Sequence, residues 1–153
     1  MDELTECILK ADKDETKFSI LLLSRLPDNF RIKRTYDEHT VDYFIYKNEK
    51  LLCYLELKTR YNAELYVRTK QSLMIGATKI DNIDRMFKKT ILVWFCEKTK
   101  NYYFSHYVEY FKDLPKYKLQ HWSVDREDMV RYIPISNDNV GFENLIHEII
   151  NYE

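Results

Sequence analysis

The run Ile91-Leu92-Val93-Trp94-Phe95 contains no polar side chain, and it limits the folds open to this chain more than any other segment. A strand that is apolar on both faces must be covered on both faces, as happens at the centre of a sheet between layers of other elements. We therefore predict a central strand over Thr90–Cys96. A partner strand over Asn101–Tyr107 is expected to pair with it through the turn Glu97–Lys100.

Helical and strand patterns follow one another along the rest of the chain. Apolar residues at helical spacing predict a first helix over Asp14–Leu26. A capping-box-like Thr78-Lys79-Ile80-Asp81 opens a second helix, which turns Ile80, Ile83 and Phe87 inward. The closing helix is amphipathic and carries Phe142, Leu145, Ile146, Ile149 and Ile150. Further strands are predicted over Phe30–Tyr36, Val41–Tyr46, Leu51–Lys58, Gln71–Gly76 and Met129–Ile135. This order predicts an α/β (α+β) fold with a mixed central sheet flanked by helices.

Length and composition place the chain among single-domain intracellular proteins. Its 153 residues are enough for one domain over residues 1–153 with a core that needs no disulfide or structural metal. The three cysteines are odd in number and lie in apolar surroundings, so we expect buried thiols in a reducing compartment. The first ten residues are acidic where a signal peptide would be basic, and no apolar run is long enough to cross a membrane. The sequence therefore predicts a protein that is neither secreted nor membrane-bound.

Positive charge is concentrated in the middle of the chain. Residues 31–90 carry thirteen basic and eight acidic side chains, a net charge of +5, whereas residues 1–30 and 91–153 each carry −3. A basic segment suits a polyanionic partner such as nucleic acid. A solvated charged surface on an ordinary domain is the alternative explanation.

Charged residues interrupt one strand that is otherwise apolar. In Leu51–Lys58 the two-residue period puts Glu56 and Lys58 on one face of the strand. If Tyr46 pairs with Leu51, Asp42 on the preceding strand lies opposite Leu55, and a single bulge would bring it opposite Glu56. Two facing carboxylates repel each other unless a cation lies between them. The pattern predicts an oxygen-rich site for Mg²⁺ or Mn²⁺.

These residues resemble the motif of the PD-(D/E)XK nuclease superfamily. Thirteen residues lie between Asp42 and Glu56-Leu57-Lys58, and Val41 stands where the family usually has proline. The order of elements is also similar to that family's α-β-β-β-α-β arrangement. The resemblance implies a restriction-endonuclease-like core over about residues 14–107, with the strand and helix of residues 129–152 packed on it. The nearest likeness is to Holliday-junction-resolvase-like and small viral or phage nucleases.

The resemblance also implies roles for individual residues. Asp42 and Glu56 would bind Mg²⁺ or Mn²⁺ together with the main-chain carbonyl of Leu57, and Lys58 would orient the attacking water. Glu15 from the first helix would join this catalytic group; the alternative is that its charge only stabilises the helix N-terminus. The nucleic acid, expected to be DNA, would contact Lys33, Arg34, Arg60, Arg68, Lys70 and Lys79. Relatives of the resolvase kind commonly pair two subunits, so a homodimer is a further expectation.

Two other functions are compatible with the same sequence. The near-neutral overall charge and the aromatic segment Tyr107–Trp122 also suit a nuclease-fold protein that has lost catalysis and acts as a binding or assembly module. The thirteen tyrosines could instead stack on the bases of a single-stranded nucleic acid. The four histidines have neither the spacing nor the cysteine partners of a zinc site.

Overall fold

The computed structural model describes residues 2–37, 40–61, 72–118 and 129–153. Helices and strands occur in these ranges in an order close to the predicted one. The elements in chain order are α1 (Glu3–Arg25), β1 (Phe30–Arg34), β2 (Tyr43–Lys47), β3 (Lys50–Arg60), β4 (Ser72–Gly76), α2 (Ala77–Met86), β5 (Thr90–Cys96), β6 (Asn101–His106), a short 3₁₀ helix (Glu109–Asp113), β7 (Tyr117–Lys118), β8 (Met129–Pro134) and α3 (Phe142–Ile150).

The main sheet has five strands in the order β1-β2-β3-β5-β6. Strands β1, β2 and β3 form an antiparallel meander, β5 lies parallel to β3, and β6 returns antiparallel to β5. The parallel pair needs a crossover between β3 and β5, and α2 lies on that connection. The predicted fold class, a mixed sheet flanked by helices, is confirmed.

A hydrophobic cluster covers each face of this sheet. On one face α1 and α3 supply residues such as Leu22 and Leu145, which pack against Leu55 of β3. On the other face α2 and β4 pack against Leu92 and Trp94 of β5. The central strand is thus covered on both sides, as its apolar sequence requires.

The strand Ser72–Gly76 belongs to a second, three-stranded antiparallel sheet in the order β4-β8-β7. Strand β4 continues directly into α2, whose N-cap is Gly76 and which has no side-chain cap. The predicted capping box at Thr78–Asp81 is therefore wrong. Because the chain passes straight from the strand into the helix, Thr78 already lies inside the first turn and cannot occupy the cap position. The inward residues Ile80, Ile83 and Phe87 are buried as predicted.

Helix α1 begins eleven residues earlier than the apolar spacing suggests. Its first residues are capped by Asp2, whose side chain accepts a hydrogen bond of 2.8 Å from the Thr5 N–H. The polar N-terminal half conceals the helix from a search for apolar periodicity. Neither α1 nor any other described helix is long and apolar enough to span a membrane.

Candidate active site

Asp42 and Glu56 are brought to the same level by an irregularity in the pairing of β2 with β3. Tyr46 pairs with Leu51, but Ile45 pairs with Cys53, so one extra residue of β3 is accommodated between them. The shifted register continues to Tyr43 opposite Leu55. Asp42, the next residue towards the N-terminus, consequently lies level with Glu56. A single bulge thus brings Asp42 opposite Glu56, as considered from the sequence.

The Asp42 carboxylate is anchored to the main chain of β3. Its Oδ2 atom accepts a hydrogen bond of 2.7 Å from the Leu57 N–H. Burial, followed by the negative charges of Glu56 and Glu15, raises the pKa of Asp42 to about 8, although Lys58 and the Leu57 N–H act in the opposite direction. Without a cation, this carboxyl group is easily protonated near neutral pH.

Glu56 is almost completely buried, with a side-chain exposure of 1%, and one of its two oxygens has cationic partners. The Oε2 atom lies 3.0 Å from Lys58 Nζ and 3.4 Å from Lys79 Nζ. The Oε1 atom is also buried but has no hydrogen-bond partner among the residues of the described ranges. A buried carboxylate oxygen without a partner is costly in a folded protein, so this atom is a natural ligand for a cation.

Lys58 remains partly accessible beside the buried Glu56. The negative charge of Glu56 raises the pKa of Lys58 above its usual value, while burial opposes this effect. Lys58 is therefore a charged ammonium group, able to donate hydrogen bonds to a water molecule or a phosphate oxygen. Its side-chain exposure of 27% leaves a route to solvent.

Glu15 lies on the other flank of Asp42, where an arginine holds it. Arg34 Nη2 is 2.6 Å from Glu15 Oε2 and 2.8 Å from Asp12 Oδ1. The Tyr43 hydroxyl donates a hydrogen bond of 2.5 Å to the main-chain carbonyl of Glu15, which fixes this turn of α1 against β2. Glu15 is close enough to act on the pKa of Asp42, but its carboxylate is turned to Arg34.

The residues predicted to bind nucleic acid differ in exposure and in the partners they contact. Lys33 is exposed on the edge strand β1, and Arg60 ends β3, where its Nη1 donates to the Thr59 carbonyl at 3.1 Å. Arg34 is engaged by Asp12 and Glu15 rather than presented to solvent. Arg68 and Lys70 lie outside the described residues.

The position of Lys79 next to Glu56 was not predicted from the sequence. Lys79 was expected at the surface as a phosphate contact, but its Nζ atom lies at Glu56 and also donates a hydrogen bond of 3.1 Å to the Thr40 carbonyl. One sequence feature agrees with this position. A lysine in the first turn of a helix is disfavoured by the helix dipole unless an acid compensates it, and the first turn of α2 contains no acidic residue.

The donor atoms present suit a hard divalent cation. Asp42, the unpartnered Oε1 of Glu56 and the main-chain carbonyl of Leu57 would supply oxygen ligands, with water and substrate completing the shell, as is usual for Mg²⁺. Within the described part of the chain, no group of three or more His, Cys, Asp or Glu residues is placed to hold a metal ion.

Among known proteins, this chain resembles a solved structure in its fold. No protein-family model matches the chain, and no curated protein sequence matches it. The solved structure of D212, a nuclease from a fusselovirus, is similar with a TM-score of 0.50 at 12% sequence identity. The likeness covers 97% of this chain and 92% of that one, so the chain shares the fold of a viral nuclease over nearly its whole length.

Proposed function

We propose that the protein is a nuclease of the PD-(D/E)XK superfamily that requires Mg²⁺ or Mn²⁺ and hydrolyses phosphodiester bonds in DNA as an endonuclease. The observation that carries this proposal is the buried Glu56, level with Asp42, with one oxygen held by lysines and the other without a partner. An ordinary structural ion pair would not leave a buried carboxylate oxygen unused. The fold shared with a viral nuclease agrees with the proposal.

The mechanism follows from what each side chain can do. Asp42 and Glu56 would hold the cation, which when bound neutralises charge on the phosphate and lowers the pKa of a coordinated water. Asp42 is kept in place by the Leu57 N–H, so its second oxygen can face the site. Lys58 would donate hydrogen bonds to the attacking water and orient it in line with the scissile bond. Glu15, held by Arg34, would add negative charge that favours the cation.

The direct test is cleavage of duplex, branched and single-stranded DNA with Mg²⁺ or Mn²⁺. We expect wild-type cleavage to stop in EDTA and to fall by at least about 100-fold in Asp42→Ala and in Lys58→Met, since each removes a group used at the reacting centre. Asp28→Ala, which changes an exposed acid in the turn after α1, serves as the matched control and should cleave normally. Cleavage that survives in both site variants would exclude this assignment.

A second candidate is a nuclease-fold module that binds or assembles without catalysis. The observation in its favour is that two lysines already lie at Glu56 Oε2, so the charge of this buried carboxylate is compensated by the protein itself. This candidate predicts no heat of Mn²⁺ binding in calorimetry and no cleavage of any DNA. Saturable Mn²⁺ binding that is lost in Asp42→Ala would reject it.

A further inference from the structure

Glu56 has two lysine partners, although one would balance its charge. Both ammonium groups approach the same oxygen, at 3.0 Å for Lys58 and 3.4 Å for Lys79. A cation bound at the other oxygen, Oε1, would add positive charge beside both of them. Electrostatic repulsion then favours the departure of one lysine, and the structure distinguishes the two.

Lys79 is held in place by more than Glu56. Its Nζ atom also donates to the Thr40 carbonyl, two residues before Asp42. Thr40 is itself bonded to the Asp37 carbonyl and the Thr35 hydroxyl, so Lys79 joins α2 to a hydrogen-bonded segment that leads into Asp42. The neighbouring Ile80 is fully buried and fixes this turn of the helix.

Lys58 has fewer restraints and more room. Within the described ranges, its ion-pair partner is Glu56, and its side chain is more exposed than that of Lys79, at 27% against 18%. It can turn from Glu56 towards solvent without giving up a main-chain contact of the kind that Lys79 makes.

We propose that Lys79 is a positioning residue that holds Glu56 with its Oε1 atom facing the cation site, while Lys58 leaves Glu56 to act on the substrate. The two lysines therefore have different roles: Lys79 maintains the geometry of the metal ligand Glu56, and Lys58 acts on the substrate. This inference rests on the proposed metal-dependent function and assigns Lys79 a role in that site other than a phosphate contact.

Calorimetric titration of the full chain with Mn²⁺ alone separates the two roles without measuring activity. Removal of a positive charge near a cation site should by itself tighten cation binding. Lys58→Met should accordingly bind Mn²⁺ as tightly as the wild type or more tightly. Lys79→Met should bind it about 10-fold more weakly, the usual effect of losing a group that orients a metal ligand. Lys79→Arg, which can reach both Glu56 and Thr40, should restore most of the affinity.

Control variants and kinetics complete the test. Lys88→Met, an exposed lysine just beyond α2, should leave Mn²⁺ affinity unchanged. In cleavage assays at saturating Mn²⁺, Lys79→Met should recover much of its kcat, whereas Lys58→Met should not. If Lys79→Met does not fold, Lys79→Gln replaces it, since the amide keeps a donor for the Thr40 carbonyl but loses the charge.

The results distinguish failure of this inference from failure of the proposed function. Tighter Mn²⁺ binding in both lysine variants overturns the role of Lys79 and leaves the metal site standing. A wild-type protein that binds no Mn²⁺ overturns the metal-dependent function and the inference together.

Discussion

Asp42 lies in surroundings that favour its protonated form, and this affects stability. Because the native pKa of about 8 is above the ordinary value of 3.8, the stability that Asp42 contributes is complete below pH 3.8 and is lost as the pH rises towards 8. We expect Asp42→Asn to stabilise the metal-free protein at pH 8 by about 1 kcal/mol, or about 3 °C in melting temperature. The asparagine can still accept the Leu57 N–H.

The pH dependence of this effect is its control. At pH 4.5 wild-type Asp42 is protonated in the native state, so thermal melts in EDTA should show a smaller gain for Asp42→Asn. Asp28→Asn at an exposed site should change neither melt. A loss of stability in Asp42→Asn at pH 8, or an equal gain at pH 4.5 and pH 8, would contradict the raised pKa of Asp42.

Removing the charge of Glu56 should destabilise the protein, the opposite of the effect expected at Asp42. The Glu56 carboxylate compensates two ammonium groups, and Glu56→Gln removes the negative charge with which both of them pair in a partly buried site. We expect a loss of about 2 kcal/mol in the free energy of unfolding, measured by urea titration at pH 7. A Gln variant as stable as the wild type would show that the lysines do not depend on Glu56.

The local part of this site could be predicted from the sequence, and the remote part could not. Asp42, Glu56 and Lys58 lie on one hairpin, where a two-residue period and one bulge determine which side chains meet. Lys79 belongs to α2, which follows strand β4 of the second sheet along the chain. No periodicity in the sequence encodes its contact with Glu56. The pairing of Arg34 with Glu15 likewise depends on how α1 packs against β1.

At the scale of elements, α1 offers a test of which helix face packs on the sheet. Leu22 is fully buried against β-strand residues, whereas Leu23 next to it is 52% exposed. We expect Leu22→Ala to lower the free energy of unfolding by about 3 kcal/mol, since it leaves a cavity in the core. Leu23→Ala, the same substitution one residue later, should change it by less than about 0.5 kcal/mol. Similar losses in both variants would contradict the orientation of α1.

The elements best predicted from sequence are those with the strongest local pattern. Thr90–Cys96 agrees with the structure at both ends, because a short uncharged run rich in β-branched and aromatic residues is typical of a covered strand. The sequence misplaces the start of α2, since a helix that follows a strand directly needs no capping side chain. The pairing of β4 with β8 joins segments more than fifty residues apart, and nothing in either segment specifies the other.

At the scale of the whole molecule, one buried arginine joins the second sheet to the rest of the fold. Arg131 of β8 is 3% exposed and donates to the main-chain carbonyls of Ala77, Lys112 and Leu114 and to Asp81. Lysine has no planar fork of donors and cannot satisfy these acceptors together. We expect Arg131→Lys to cost about 2 kcal/mol in the free energy of unfolding, measured by urea titration. An unchanged value would mean that the second sheet is held by other contacts.

The central claim is that Asp42 and Glu56 together hold a divalent cation. A crystal structure of the protein soaked in Mn²⁺, with anomalous diffraction recorded to locate the ion, tests it most directly. We predict an anomalous peak about 2.0 to 2.6 Å from a carboxylate oxygen of Asp42 and from Oε1 of Glu56, with Lys79 still bound to Oε2. A map without a peak between these two residues, and with both lysines still on Glu56, would contradict the account.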